Sequence, residues 1–184
     1  FTFDYDLPND TAYAETCASI ALCFFARSML RLDLDGRYAD AMERALYNTC
    51  LAGMSLDGKN FFYVNPLEVL PEASHKDPNK RHVLPVRPKW FGCACCPPNL
   101  ARLIASLGSY AYSWAKGEAY VHLYLGGEAR LGDGVALTVN TEYPRTGRIE
   151  ITPSAGKYAL NLRVPGFSQG NFELRLNGKS TAAP

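Results

Sequence analysis

The sequence predicts an α+β chain in which a helical part, residues 1–116, precedes the start of an antiparallel β-sandwich, residues 117–184. Three observations carry that prediction. Up to about Trp114, apolar residues recur at three- and four-residue intervals, the signature of helices buried on one face. After Lys116-Gly117 the interval falls to two. Gly, Pro and Asn then cut the remaining sequence into short runs at sandwich-like spacing.

Asn9, Asp10 and Thr11 are N-cap candidates for a first helix over residues 12–32. Ile20, Leu22, Phe24 and Phe25 make that helix apolar nearly all round, so it is expected to pack on more than one side. Asp35-Gly36 reads as a turn into a second helix over 37–51, with Arg37, Asp40 and Arg44 mostly outward. So short a connection makes the pair an antiparallel hairpin. Residues 53–90 form a proline-punctuated loop that opens with an Asp57-Gly58 turn and a strand-like run at 61–64. A loop of this length in a compact domain is a functional signal, and its Trp90-Phe91 end points to docking. Pro97-Pro98 opens a third helix with a stripe of Leu100, Leu103, Ile104, Leu107, Ala111 and Trp114. Strands are predicted over 119–125, 135–140, 148–152, 159–164 and 172–176.

Of 184 residues, 47% are hydrophobic and the formal net charge is +1, so nothing draws the chain to nucleic acid or an anionic membrane. The apolar stretch at residues 18–25 is too short for the roughly 20 residues a bilayer requires. The first residues have neither the basic start nor the apolar region of a signal peptide. The chain opens without Met and stops just past an expected strand pair, so a piece of a longer protein is expected.

Cysteine usage is the chemical signal. The positions are Cys17, Cys23, Cys50, Cys93, Cys95 and Cys96, three of them within four residues. That clustering is awkward for separate disulfides and points to free thiols in a reducing, cytoplasmic compartment, some of them holding metal. Cys95 and Cys96 precede Pro97 at a helix N-terminus, where unpaired N–H groups and the helix dipole favour a thiolate. Glu15 and Cys17 add a carboxylate and a thiolate two residues apart. On a regular helix they diverge by about 200°, so joint chelation requires irregular backbone there or a later helix start. Together with Cys95 and Cys96 they would complete a tetrahedral S3O zinc site, although the spacing is not that of a zinc finger or ribbon. The plain alternative is that these cysteines are small core residues, the reading adopted for Cys23 and Cys50.

Other candidates have bland readings beside the functional ones. Glu43, next to Arg44, reads as part of a solvated ion pair. His75 and His82 lie in the long loop, and His122 on a strand reads as structural. Tyr63, Trp90 and Phe91 are either sugar platforms or core aromatics.

Three segments nevertheless resemble a known family. Residues 5–17 (YDLPNDTAYAETC), 55–67 (SLDGKNFFYVNPL) and, most strongly, 90–99 (WFGCACCPPN) are similar to segments of the glycoside hydrolase family 127 β-L-arabinofuranosidases. The resemblance is strong over about residues 1–125. It implies helices from an (α/α)6 toroid followed by a β-sandwich, both incomplete here. It implies Zn2+ held by Glu15, Cys17, Cys95 and Cys96, with Cys95 as nucleophile and Glu43 against the sugar. The substrate implied is an L-arabinofuranoside-type oligosaccharide or glycoconjugate, hydrolysed with retention through a glycosyl-thiol intermediate. The family's acid/base glutamate lies just upstream of the Tyr5 segment, so the chain alone is expected to be inactive. A cut toroid would also expose an apolar face, favouring a homo-oligomer or association with the missing part. Two alternatives stand beside this reading: a zinc-stabilised non-catalytic scaffold or sugar-binding module, and a related glycosidase with another sugar.

Overall fold

The computed structural model describes residues 3–6, 8–168 and 170–182. They form helices together with antiparallel-rich sheets, an α+β chain as predicted. They divide into two compact units, Phe1–Leu32 with Ala41–Leu107, and Asp33–Asp40 with Gly108–Pro184.

In the first unit, helix α1 (Thr16–Leu32) starts four residues later than the capping signals predict. The reason is lateral pairing. Asn65 N–H donates to Ala14 O (2.8 Å), Thr16 N–H donates to Tyr63 O (2.9 Å), and Glu15 bridges Val64. A backbone committed sideways cannot also close helical turns. The expected caps serve elsewhere, Asp10 in an ion pair with Lys80 and Asn9 O as acceptor from Glu68 N–H (3.2 Å). One face of α1 is buried, through Thr16, Ile20, Cys23, Ala26 and Leu30. The other is not, with Phe25 60% and Leu32 82% exposed, so the expected packing on several sides is absent among the described residues.

α2 (Gly36–Arg44) continues as a π-helical turn, Ala45–Cys50, which packs against α1. Gly36 is the first residue of α2 rather than part of a turn, because the Asp35 carboxylate accepts from Arg37 N–H (2.8 Å). In the long loop, the Asp57-Gly58 turn is present, with Gly58 at φ 70°. The strand-like run beyond it makes only isolated bridges, Met54 to Phe61 and Glu15 to Val64. A short α3 (Pro71–Lys76) follows. The loop is anchored where Phe61 N–H donates to Pro88 O (3.1 Å) and Arg87 Nε donates to Ala52 O (3.0 Å). Helix α4 (Cys96–Ala105) buries Cys96, Leu100 and Leu103 and packs on α1. It stops at Ser106, well short of the predicted stripe's end.

In the second unit a short α5 (Gly108–Ala111) leads into β1 (Tyr112–Ala115), so Trp114 is a strand residue, not a helical one. β1 pairs antiparallel with β2 (Glu118–Val121) across Lys116-Gly117, whose φ values of 52° and 80° make the hairpin turn that suits strand twist. β2 also pairs with β6 (Ala159–Leu162), and that pairing is parallel, against the expected all-antiparallel sheet. Between them in sequence, β3 (Gly127–Arg130), β4 (Ala136–Thr141) and β5 (Ile149–Pro153) form a second, antiparallel sheet. The sheets share an apolar core centred on Val121, Tyr124, Leu137 and Val139, with Ile151 and Leu160 packed on it. β7 (Leu174–Leu176) and β8 (Lys179–Thr181) form a separate hairpin.

Candidate metal centre

The later start of α1 is what builds the site. Glu15 sits on the bridged, extended segment and Cys17 on the first turn of the helix, so the 200° divergence of a regular helix does not apply. Thr16, between them and 3% exposed, pins the junction. Its hydroxyl donates to Phe62 O (2.8 Å) and accepts from Asn65 Nδ2 (2.8 Å).

From the other side, the N-terminus of α4 brings Cys95 and Cys96. Cys17 Sγ lies 3.3 Å from Cys95 Sγ and 3.5 Å from Cys96 Sγ. Cys95 Sγ is 3.8 Å from Cys96 Sγ and 3.7 Å from Glu15 Oε1. The four ligand atoms all lie within 4.8 Å of one another. In a tetrahedron with Zn–S of about 2.3 Å, sulfur atoms are roughly 3.8 Å apart, so both the spacing and the S3O donor set fit zinc.

The electrostatics of the cluster point the same way. Burial, then hydrogen bonding to the Cys17 and Cys95 sulfurs, pushes the Cys96 thiol well above its ordinary range. Sulfurs gathered this closely do not ionise together without a cation among them. Tyr63, considered from the sequence only as a ring, brings its hydroxyl to the cluster. The Cys95 sulfur beside it, then burial and the Glu15 carboxylate, hold the phenol far above its usual range. Its ring stacks on Phe91 (centroids 4.5 Å apart, planes 14° apart), so these two aromatics pack on each other. Trp90 is exposed, beside an apolar recess lined by Phe61, Cys96 and Leu100.

The expected backbone support for the thiolates is weaker than the sequence suggested. Positions 97 and 98 are prolines and carry no N–H, and Asn99 N–H is engaged with Cys95 O (3.2 Å). A side chain fills part of that gap, as Asn99 Nδ2 donates to Cys17 Sγ at 3.1 Å. Sequence reasoning missed Asn99, although it closes the Cys-Cys-Pro-Pro-Asn motif one turn from Cys95.

The remaining candidates fall outside the cluster. Glu43 is 6% exposed, a buried carboxylate rather than half of a solvated pair. Cys23 and Cys50 are core residues, as expected, and Cys93 is exposed. His75 is exposed, while His82 Nε2 lies 3.2 Å from Thr11 O and its ring packs on Tyr13. His122 is buried in the second unit against Ser113 Oγ (2.8 Å). Among the described residues no helix is long and apolar enough to cross a membrane.

Comparison with known proteins adds the following. Residues 1–109 match the model of the β-L-arabinofuranosidase GH127 catalytic domain, and residues 118–184 that of the GH127 middle domain. A non-reducing end β-L-arabinofuranosidase of Bifidobacterium longum subsp. longum is 46% identical over 187 residues, covering 97% of this chain and 28% of that protein. The crystal structure of Ara127N-Se, a GH127 β-L-arabinofuranosidase from Geobacillus stearothermophilus T6, superposes with a TM-score of 0.84 at 54% identity. It covers 99% of this chain and 29% of that one. The GH127 β-arabinofuranosidase BT3674 gives 0.82 at 34% identity, covering 100% of this chain and 30% of that one. The chain thus spans less than a third of the length of the relatives it matches.

Proposed function

This chain belongs to the glycoside hydrolase family 127 β-L-arabinofuranosidases, and from that premise we propose that it is the metal-thiolate part of a zinc-dependent, retaining β-L-arabinofuranosidase. The observation that carries the reading is the convergence of Glu15, Cys17, Cys95 and Cys96 within 4.8 Å. Of the paired cysteines, Cys96 is 2% exposed and Cys95 is more accessible, which favours Cys95 as the nucleophile. Residues 1–116 would belong to the catalytic toroid and 117–184 to the following β-sandwich. Six free thiols fit a reducing compartment, the cytoplasm.

Bound zinc would keep the Cys95 sulfur deprotonated at neutral pH. The chain's own residues supply the rest. The Cys95 sulfur lone pair attacks the anomeric carbon of an L-arabinofuranoside. The bond to the leaving oxygen breaks, and that oxygen takes a proton from a carboxylic acid that we place outside these residues. Water then attacks the same carbon, the carbon–sulfur bond breaks, the thiolate returns and the water proton passes to the carboxylate. Glu15, Cys17 and Cys96 would orient the sulfur, the Tyr63 phenol would donate a hydrogen bond to it, and the buried carboxylate of Glu43 would contact sugar hydroxyls.

A site whose four positions are all protein donors also suits a structural zinc, which is the second reading. The test is elemental analysis of the intact protein, followed by acid quenching during turnover of an activated aryl β-L-arabinofuranoside and peptide mapping. One zinc per chain and a pentosyl adduct on Cys95, both lost in Cys95→Ala/Cys96→Ala, are expected. One zinc with no adduct at any time would establish the scaffold. Absence of zinc in protein never exposed to chelator would overturn both.

A further inference from the structure

Four anionic ligands around a dication leave a site with a net charge of about −2, and such a site requires hydrogen-bond donors aimed at its ligands. The first turn of α4 is poorly equipped to provide them from its backbone, because Pro97 and Pro98 have no N–H and Asn99 N–H already serves Cys95 O. A side chain takes over. The Asn99 amide reaches Cys17 Sγ at 3.1 Å across the α1–α4 contact.

We propose that Asn99 is a positioning residue of this site, its side-chain N–H holding the Cys17 sulfur in place as a ligand and stabilising its negative charge. The inference rests on the metal-thiolate reading above. A thiolate only accepts hydrogen bonds, so the orientation of the amide, nitrogen toward sulfur, follows from the charge on Cys17. Position supports the role as well. Asn99 lies three residues after Cys96, on the same face of α4, so one helical turn presents two ligands and a donor to the third ligand on a different helix. The Asn99 side chain thereby ties the Glu15-Thr16-Cys17 junction to the cysteine pair.

The test compares wild type with Asn99→Leu, similar in shape but without a donor, and Asn99→Asp, similar in size but anionic. Both are made in the intact protein. Zinc affinity is measured by chelator competition, and the sulfur-to-metal charge-transfer band is recorded after cobalt(II) substitution. Asn99→Leu is expected to bind zinc roughly 10- to 100-fold more weakly, the usual effect of losing such a partner. Its band is expected to move to lower energy, because the sulfur lone pair loses its hydrogen bond. Asn99→Asp, with a carboxylate against the thiolate, is expected to lose more affinity than Asn99→Leu. Thermal melting of the metal-free proteins checks folding, and if Asn99→Leu does not fold, Asn99→Asp carries the comparison. A folded variant with wild-type zinc affinity and an unmoved band overturns the role of Asn99 and leaves the metal site standing. A wild-type protein with neither zinc nor a cobalt–thiolate band overturns the metal reading, and this inference with it.

Discussion

Burial keeps the His122 imidazole neutral. Desolvation first, and then the charge of nearby Arg163, lower its pKa from an ordinary 6.5 to about 4. The sign follows from proton counting. Between pH 6.5 and 4 the unfolded chain binds a proton at this site that the folded chain does not. Stability is therefore complete above about 6.5 and declines as pH falls toward 4, by up to about 3 kcal/mol from this residue. Urea unfolding of wild type and His122→Gln at pH 7 and pH 4.5 tests it; the mutant should lose less stability on acidification. The bland structural reading of this histidine was legible in its strand position. Glu43 was not legible in the same way, because a carboxylate beside Arg44 looks solvated until packing buries it.

Among elements, the strand-to-helix junction at Thr16 determines the site more than either flanking ligand does. Thr16→Val keeps the shape but removes both hydroxyl hydrogen bonds, leaving Phe62 O and an Asn65 N–H short of a partner. A loss of about 1–3 kcal/mol is expected, read from thermal melting, together with weaker retention of the proposed zinc as Glu15 and Cys17 drift apart. The capping residues at 9–11 suggested an earlier start because local chemistry cannot register that Ala14 and Glu15 pair with a segment some fifty residues away. The far end of α4 failed in a complementary way. Leu107, Ala111 and Trp114 keep helical spacing, and Gly108 was the available sign that the helix ends before them.

For the whole molecule, the chain contacts place Asp33–Asp40 with the β-rich unit, so α2 begins in that unit and Ala41 onward belongs to the helical one. Within the β-rich unit the buried Arg163 guanidinium pairs with Asp40 and donates through Nε to His122 O. Asp40→Ala would remove the carboxylate that pairs with this buried cation, a cost on the order of 3 kcal/mol. Adding Arg163→Met should recover most of it, and chemical denaturation of the single and double variants checks this. The exposed face of α1, with Leu22, Phe25 and Leu32, and Ile104 of α4 offer apolar surface that water disfavours. The isolated chain is therefore expected to self-associate, with sedimentation velocity as the check; a clean monomer would count against it.

By itself the sequence determined that helices precede strands, the Asp57-Gly58 turn and the four residues proposed as ligands, since periodicity, turn chemistry and motif are local properties. It did not determine that β2 and β6 run parallel, that Asn99 donates to the Cys17 sulfur, or that Glu15 and Cys17 both face the paired cysteines. Each of those depends on which segments pack together. Cys17 and Cys95 are 78 residues apart, and their sulfurs come within 3.3 Å only because α1 and α4 bury their apolar faces against each other.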